Sequence, residues 1–155
     1  VIIQVARESA PDEASNMYDG GEPQDGGQPK SVGTILVIDD EPALRSVLCT
    51  MLEVFGYSVI EAGSATFALS LLEEVKPDLI LTDVMMPDMD GFTLIRRLRS
   101  EPTWSDIPAL VISAKTTKDD RMAAETAGAN GFLAKPFSAA DLKTALRQLT
   151  LPVPD

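Results

Sequence analysis

Five short apolar runs, each followed by a helical stripe, recur between Thr34 and Leu149, and this alternation restricts the fold more than any other feature of the chain. The runs lie near residues 34–38, 57–61, 78–82, 108–112 and 131–134. Three are continuous rather than alternating, as expected of strands covered on both faces. The segments between them read as helices. Leu44, Leu48, Met51, Leu52 and Phe55 form a stripe at i, i+4, i+7, i+8 and i+11, which Gly56 ends. A second stripe carries Ala68, Leu71, Leu72 and Val75 before Pro77, and a third carries Leu94, Ile95 and Leu98. The fourth, near 118–127, has mainly Met122, Ala123 and Ala127 to bury, and is expected to be the least firmly anchored. The last carries Leu142, Ala145, Leu146 and Leu149, with Pro152 beyond it. Regular alternation of strand and helix implies an α/β fold with a parallel sheet and right-handed crossovers. Five strands in about 115 residues suggest an open, doubly wound sheet, because a closed barrel of this kind needs eight.

Composition narrows the chemistry. The chain of 155 residues has room for one ordinary domain. No apolar stretch approaches the roughly 18 residues of a membrane span, and the N-terminus has neither the basic flank nor the apolar core of a signal peptide. A net charge of −11 argues against direct nucleic-acid binding, because phosphate would be repelled. The absence of histidine excludes a His-based triad, an imidazole zinc site and a histidine phosphocarrier within this chain. A single cysteine, Cys49, forms no internal disulfide and fits a reducing, cytoplasmic setting; on a helix it reads as a buried thiol rather than a reactive one.

Residues 1–32 read as a largely flexible N-terminal tail or linker, 33–150 as the folded domain and 151–155 as a C-terminal tail. Turn formers such as Gly20-Gly21-Glu22-Pro23 and Asp25-Gly26-Gly27-Gln28-Pro29 dominate the linker, preceded by the apolar piece Val1-Ile2-Ile3-Gln4-Val5. Because the chain begins with Val1, it is expected to be a processed form or a piece of a larger protein.

Polar residues sit at the ends of four runs: Asp39 and Asp40, Asp83, Ser113 and Lys135. In an open parallel sheet, ligands bind outside the carboxyl ends of the strands, and that rule gathers these residues at one edge. Adjacent carboxylates repel each other, and a hard divalent cation such as Mg²⁺ relieves that repulsion with oxygen ligands. The alternative for Asp40 is an N-cap on the helix that begins near Glu41-Pro42. Asp83 is ionised at neutral pH and can accept a phosphoryl group as an acyl phosphate, once cations offset its repulsion of an anionic donor. Its alternative is a turn residue before Pro87. Asp88 and Asp90 read as turn or cap residues. Lys135 is a mobile point charge that the turn at Pro136 would aim, against a surface lysine without a task. Ser113 offers a hydroxyl to a phosphoryl oxygen, although serines often end strands.

Taken jointly, Asp39-Asp40, Asp83-x-x-Met86-Pro87-x-x-x-Gly91, Ser113-Ala114 and Lys135-Pro136-Phe137 resemble the receiver domain of two-component response regulators over roughly residues 33–150. The resemblance implies a flavodoxin-like, three-layer α/β/α fold with strand order 2-1-3-4-5 and five helices. It implies a phosphorylation-activated switch rather than an enzyme acting on other substrates. Asp83 would accept a phosphoryl group from a histidine kinase or histidine phosphotransfer protein. Asp40, Asp83 and the Met85 carbonyl would ligate Mg²⁺, with Asp39 helping. Lys135, through a cis Lys135-Pro136 bond, and Ser113 would contact the phosphoryl group, and Phe132 would turn inward. The fourth helix, fifth strand and fifth helix would then present a changed surface to a downstream protein target; a homodimer is left open. Phe132 stands where tyrosine is common in the family and Ser113 where threonine is common. Met85 and Lys115 are expected to tune phosphate lifetime. Because only five residues follow Thr150, the expected placement is a C-terminal receiver of a larger or hybrid protein, or a stand-alone regulator. A constitutive binding module would be expected to lack one of the Asp or Lys residues. An aspartyl-phosphate phosphatase would need Asp-x-Asp after the first strand, where this chain has Asp39-Asp40-Glu41. A nucleotide-binding P-loop motif is missing.

Overall fold

The computed structural model describes residues 31–149. The apolar piece at 1–5, the linker through residue 30, Thr150, Pro152 and the tail at 151–155 lie outside the described residues. Ser31 and Val32, assigned above to the tail, are tied to the domain: the Val32 N–H donates to the Gly56 carbonyl, and Ser31 Oγ accepts from the Ser58 N–H.

The elements run in strict alternation: β1 (Thr34–Ile38), α1 (Pro42–Val54), β2 (Ser58–Ala62), α2 (Ala65–Leu72), β3 (Leu79–Asp83), α3 (Gly91–Ser100), β4 (Ala109–Ser113), α4 (Lys118–Ala127), β5 (Gly131–Ala134) and α5 (Ala139–Gln148). All strand pairs are parallel, in the order β2-β1-β3-β4-β5. The order reverses direction at β1 and β3, so a crevice opens between the carboxyl ends of those two strands.

The strand period of two sorts the apolar residues to the two faces. Ile35, Val37, Leu79, Leu81, Leu110 and Ile112 join Leu48 and Leu52 of α1 and Leu142 and Leu146 of α5. Leu36, Ile38 and Ile80 face the other way, onto Ala68 and Leu72 of α2 and Leu94 and Leu98 of α3. A smaller cluster on that second side sets Ala109 and Val111 against Ile95 of α3 and Ala124 and Ala127 of α4. β3 and β4 are buried along their whole length, which is why they read as unbroken apolar runs.

Local chemistry starts and stops the helices. Pro42 opens α1, where its missing N–H is no loss. Asp90 caps α3 by accepting the Thr93 N–H at 2.7 Å, as one of its two readings expected. Thr117 with Asp120, and Ser138 with Asp141, form capping boxes on α4 and α5. Gly128 ends α4 in the left-handed region at φ 107°.

Two helical expectations need correction. Val75 lies beyond α2, which ends at Leu72; the residues before Pro77 wind into a turn, because a proline disfavours helix in the residue preceding it. Met122 is 52 % exposed, and α4 buries Ala124 and Ala127 instead, with Ala123 only half-buried. Its inward stripe is therefore thinner than the sequence suggests.

Candidate functional site

The strand ends converge as the switch-point rule expects. Asp39, Asp40 and Asp83 each place a carboxylate oxygen within 4.8 Å of the others. β1 and β3 are adjacent, with Ile38 paired to Thr82, so the residues that follow them come level at the crevice. Asp83 and Ser113 are the last residues of their strands rather than the first beyond them, so both stay buried.

Asp83 is held on several sides. Its Oδ1 accepts the Val84 N–H at 2.8 Å, and its Oδ2 lies 3.2 Å from Lys135 Nζ. The Thr82 hydroxyl donates to the Asp83 carbonyl at 2.9 Å. Gly91 packs onto the same carbonyl so closely that a Cβ there would collide with it, which gives the glycine of the Met86-Pro87-x-x-x-Gly91 motif a steric reason. The Lys135 N–H donates to the Ser113 carbonyl at 2.9 Å, and the Lys135-Pro136 bond is cis. The strand pairing brings the lysine across β4 to Asp83.

Asp39 is buried, and burial pushes its carboxyl above the ordinary aspartate range. The Glu41 N–H and Lys135 pull the other way, while Asp83 and Asp40 add repulsion. Asp39 Oδ1 accepts the Glu41 N–H at 2.9 Å. The expected alternative for Asp40, a helix cap, does not occur: the N-cap of α1 is Glu41, which makes no side-chain cap, and Asp40 is exposed at the mouth of the cluster. Three oxygen donors of like charge, one open to solvent, make a donor set that fits a hard divalent cation such as Mg²⁺.

Ser113 is 2 % exposed, and its Oγ accepts the Lys115 N–H at 2.9 Å. Phe132, paired with Val111, is half-buried beneath the Arg121 guanidinium, 4.7 Å from its ring centroid. Met85 is 57 % exposed. Beside Lys135 opens an apolar groove of about 360 Å³ lined by Leu44, Val47, Met51, Ala114, Pro136 and Phe137.

Arg45 and Asp88 enter the site or its supports without having been singled out for that purpose. Arg45 Nη1 donates to the Asp39 carbonyl at 2.6 Å, and Nε to Glu61 Oε1 at 3.1 Å. Asp88 accepts from both the N–H and the hydroxyl of Thr66, at 2.8 and 2.7 Å, and so crosses to the start of α2. The available signal for Arg45 was a charged residue next to Leu44 on the inward stripe, with Glu61 the one charged residue in its strand.

A family model of the response regulator receiver domain matches residues 35–147. The chain belongs to this family. The receiver is 44% identical to the KDP operon transcriptional regulatory protein KdpE of Escherichia coli over 113 residues, 73% of this chain and 49% of that protein. The chain spans about half the length of most of the first curated relatives it matches. Among solved structures it resembles chemotaxis protein CheY4 of Vibrio cholerae, at TM-score 0.72 and 28% identity over 77% of this chain and 98% of that one. It also resembles the receiver domain of a sensor histidine kinase from Pseudomonas aeruginosa, at TM-score 0.69 and 30% identity over 76% and 98%. That structure has a magnesium ion coordinated in its active site cleft. The five parallel strands, their order and the five flanking helices are those the resemblance implied. No helix among the described residues is long and apolar enough to cross a membrane.

Proposed function

We infer that this receiver is a phosphorylation-activated signalling switch in which Asp83 accepts a phosphoryl group from a phosphohistidine on a partner histidine kinase or phosphotransfer protein. The observation that carries the reading is the setting of Asp83: buried, 3.2 Å from Lys135 Nζ, and within 4.8 Å of two further carboxylates.

Asp39, Asp40, Asp83 and the Met85 carbonyl would hold Mg²⁺. When bound, the ion supplies charge neutralisation for the carboxylates and for the incoming phosphoryl oxygens. An Asp83 oxygen attacks phosphorus as the bond to the donor imidazole nitrogen breaks, and an acyl phosphate results. Lys135 offsets charge on a phosphoryl oxygen from the side opposite the acidic pair. The Ser113 hydroxyl proton is then available to a second phosphoryl oxygen. The apolar groove beside Lys135 gives the donor protein a surface to seat on while its phosphohistidine reaches the crevice.

Output would pass through α4, β5 and α5. Two alanines hold α4, so displacement of Ser113 and Phe132 need overcome little packing there. The readout is a changed protein surface for a downstream target.

The test is direct. Incubation with acetyl phosphate and Mg²⁺ should add the mass of one phosphoryl group, and neither the Asp83→Asn variant nor the wild type without Mg²⁺ should gain it. Labelling that survives Asp83→Asn would falsify the assignment.

A further inference from the structure

Resting on the phosphoacceptor reading, we propose that Arg45 is a positioning residue for the acidic cluster, locking the Asp39–Asp40 peptide so that both carboxylates face one cation. Asp40 is exposed, so packing does not fix its side chain, and its direction depends on the peptide that precedes it. The carbonyl of that peptide belongs to Asp39 and accepts from Arg45 Nη1 at 2.6 Å. The Asp39 N–H donates to the Ala62 carbonyl at 3.1 Å, and Asp39 Oδ1 accepts from the Glu41 N–H. With Arg45 in place, the amide, the carbonyl and one carboxylate oxygen of Asp39 are all engaged.

Arg45 is itself braced. Its Nε pairs with Glu61 Oε1 at 3.1 Å. The network thus joins α1, the edge strand β2 and the turn after β1. A guanidinium suits the position because its rigid fork reaches a carbonyl and a carboxylate together, whereas an ammonium on a flexible stem cannot hold that geometry.

Charge and geometry predict opposite results, which makes the proposal testable. A cation near the cluster repels Mg²⁺, so loss of Arg45 as a mere charge would tighten Mg²⁺ binding. Loss of Arg45 as a positioning group would weaken it. Calorimetric titration of the full 155-residue chain with MgCl₂ reads the sign. Arg45→Met and Arg45→Lys should each weaken Mg²⁺ binding about tenfold, in the range typical of groups that orient metal ligands. Glu61→Gln keeps a neutral acceptor for Nε and should lose about two- to threefold. Acetyl phosphate labelling of the Arg45 variants should slow at low Mg²⁺ and return to the wild-type rate at saturating Mg²⁺, a split that a general loss of structure would not produce. Unchanged or tighter Mg²⁺ binding in Arg45→Lys would overturn the proposal. If circular dichroism shows Arg45→Met unfolded, Arg45→Lys and Glu61→Gln decide it. A wild-type chain that binds Mg²⁺ but takes up no phosphoryl group would sink the phosphoacceptor reading alone and leave Arg45 to the calorimetry.

Discussion

Asp83 ends β3 and Lys135 follows β5, with β4 between the two strands, and their 3.2 Å contact shows how register brings distant single residues together. The same logic explains a residue without a task. Cys49 points into the α1 core, where burial, then Glu61 and Glu53, push its thiol up to about 12. A thiol reagent needs the thiolate, which at pH 8 is then only about one part in ten thousand. We expect Cys49 to resist a chromogenic disulfide reagent at pH 8 in the native protein and to react fully in denaturant, followed by absorbance. The residues at the strand ends were legible because an apolar run interrupted by a carboxylate, a lysine or a hydroxyl is a visible break in pattern. Arg45 was not legible as a positioning group, because which carbonyl a long side chain reaches depends on how α1 lies on β1 and β2. The Asp40 cap failed for a related reason: Asp39, one residue earlier, takes the Glu41 N–H, and Glu41 becomes the cap position.

The elements differ sharply in how they are held. α1 and α5 bury leucines against the sheet, whereas α4 buries alanines and relies on its ends. Its C-terminus is fastened by Arg99 of α3, which donates to the Gly128 carbonyl at 3.0 Å and to Asn130 Oδ1 at 2.8 Å. Strand positions followed from the sequence to within one residue because the central strands are buried on both faces. The miss at Met122 has a physical cause: on a helix with so few apolar residues, periodicity does not say which of them turns inward. α2 is tied at its start by two loops, Ser64 accepting the Phe67 N–H and Asp88 accepting the Thr66 N–H. The Thr66 hydroxyl and N–H hold the Asp88 carboxyl below the usual aspartate range. A depressed carboxyl contributes stability that is whole above the unfolded-state value and is lost as pH falls through the folded one. Asp88 is exposed, so solvent screening leaves about 0.5 kcal/mol. Asp88→Asn should therefore melt slightly below the wild type at pH 7, and the gap should close as the pH drops below about 4. Melting curves across that range check it, and a gap that widens in acid would refute the assignment.

Across the whole molecule, cohesion and chemistry occupy different places: two apolar faces of one sheet supply the first, and its carboxyl edge holds the second. At that edge three carboxylates crowd together, two of them, Asp39 and Asp83, buried. Such an arrangement is a local conflict that the rest of the fold must overcome, a trade of stability for function. Without Mg²⁺, Asp39→Asn should melt a few degrees above the wild type, equivalent to about 1 kcal/mol, because it relieves a buried charge while the amide oxygen still accepts the Glu41 N–H. With Mg²⁺ in excess the order should reverse, since only the intact cluster gains from binding. Differential scanning calorimetry in EDTA and in MgCl₂ would show both halves of the exchange. On this reading the acidic crevice is the weak point of the free receiver, and the ion proposed to equip it for chemistry would also mend its folding.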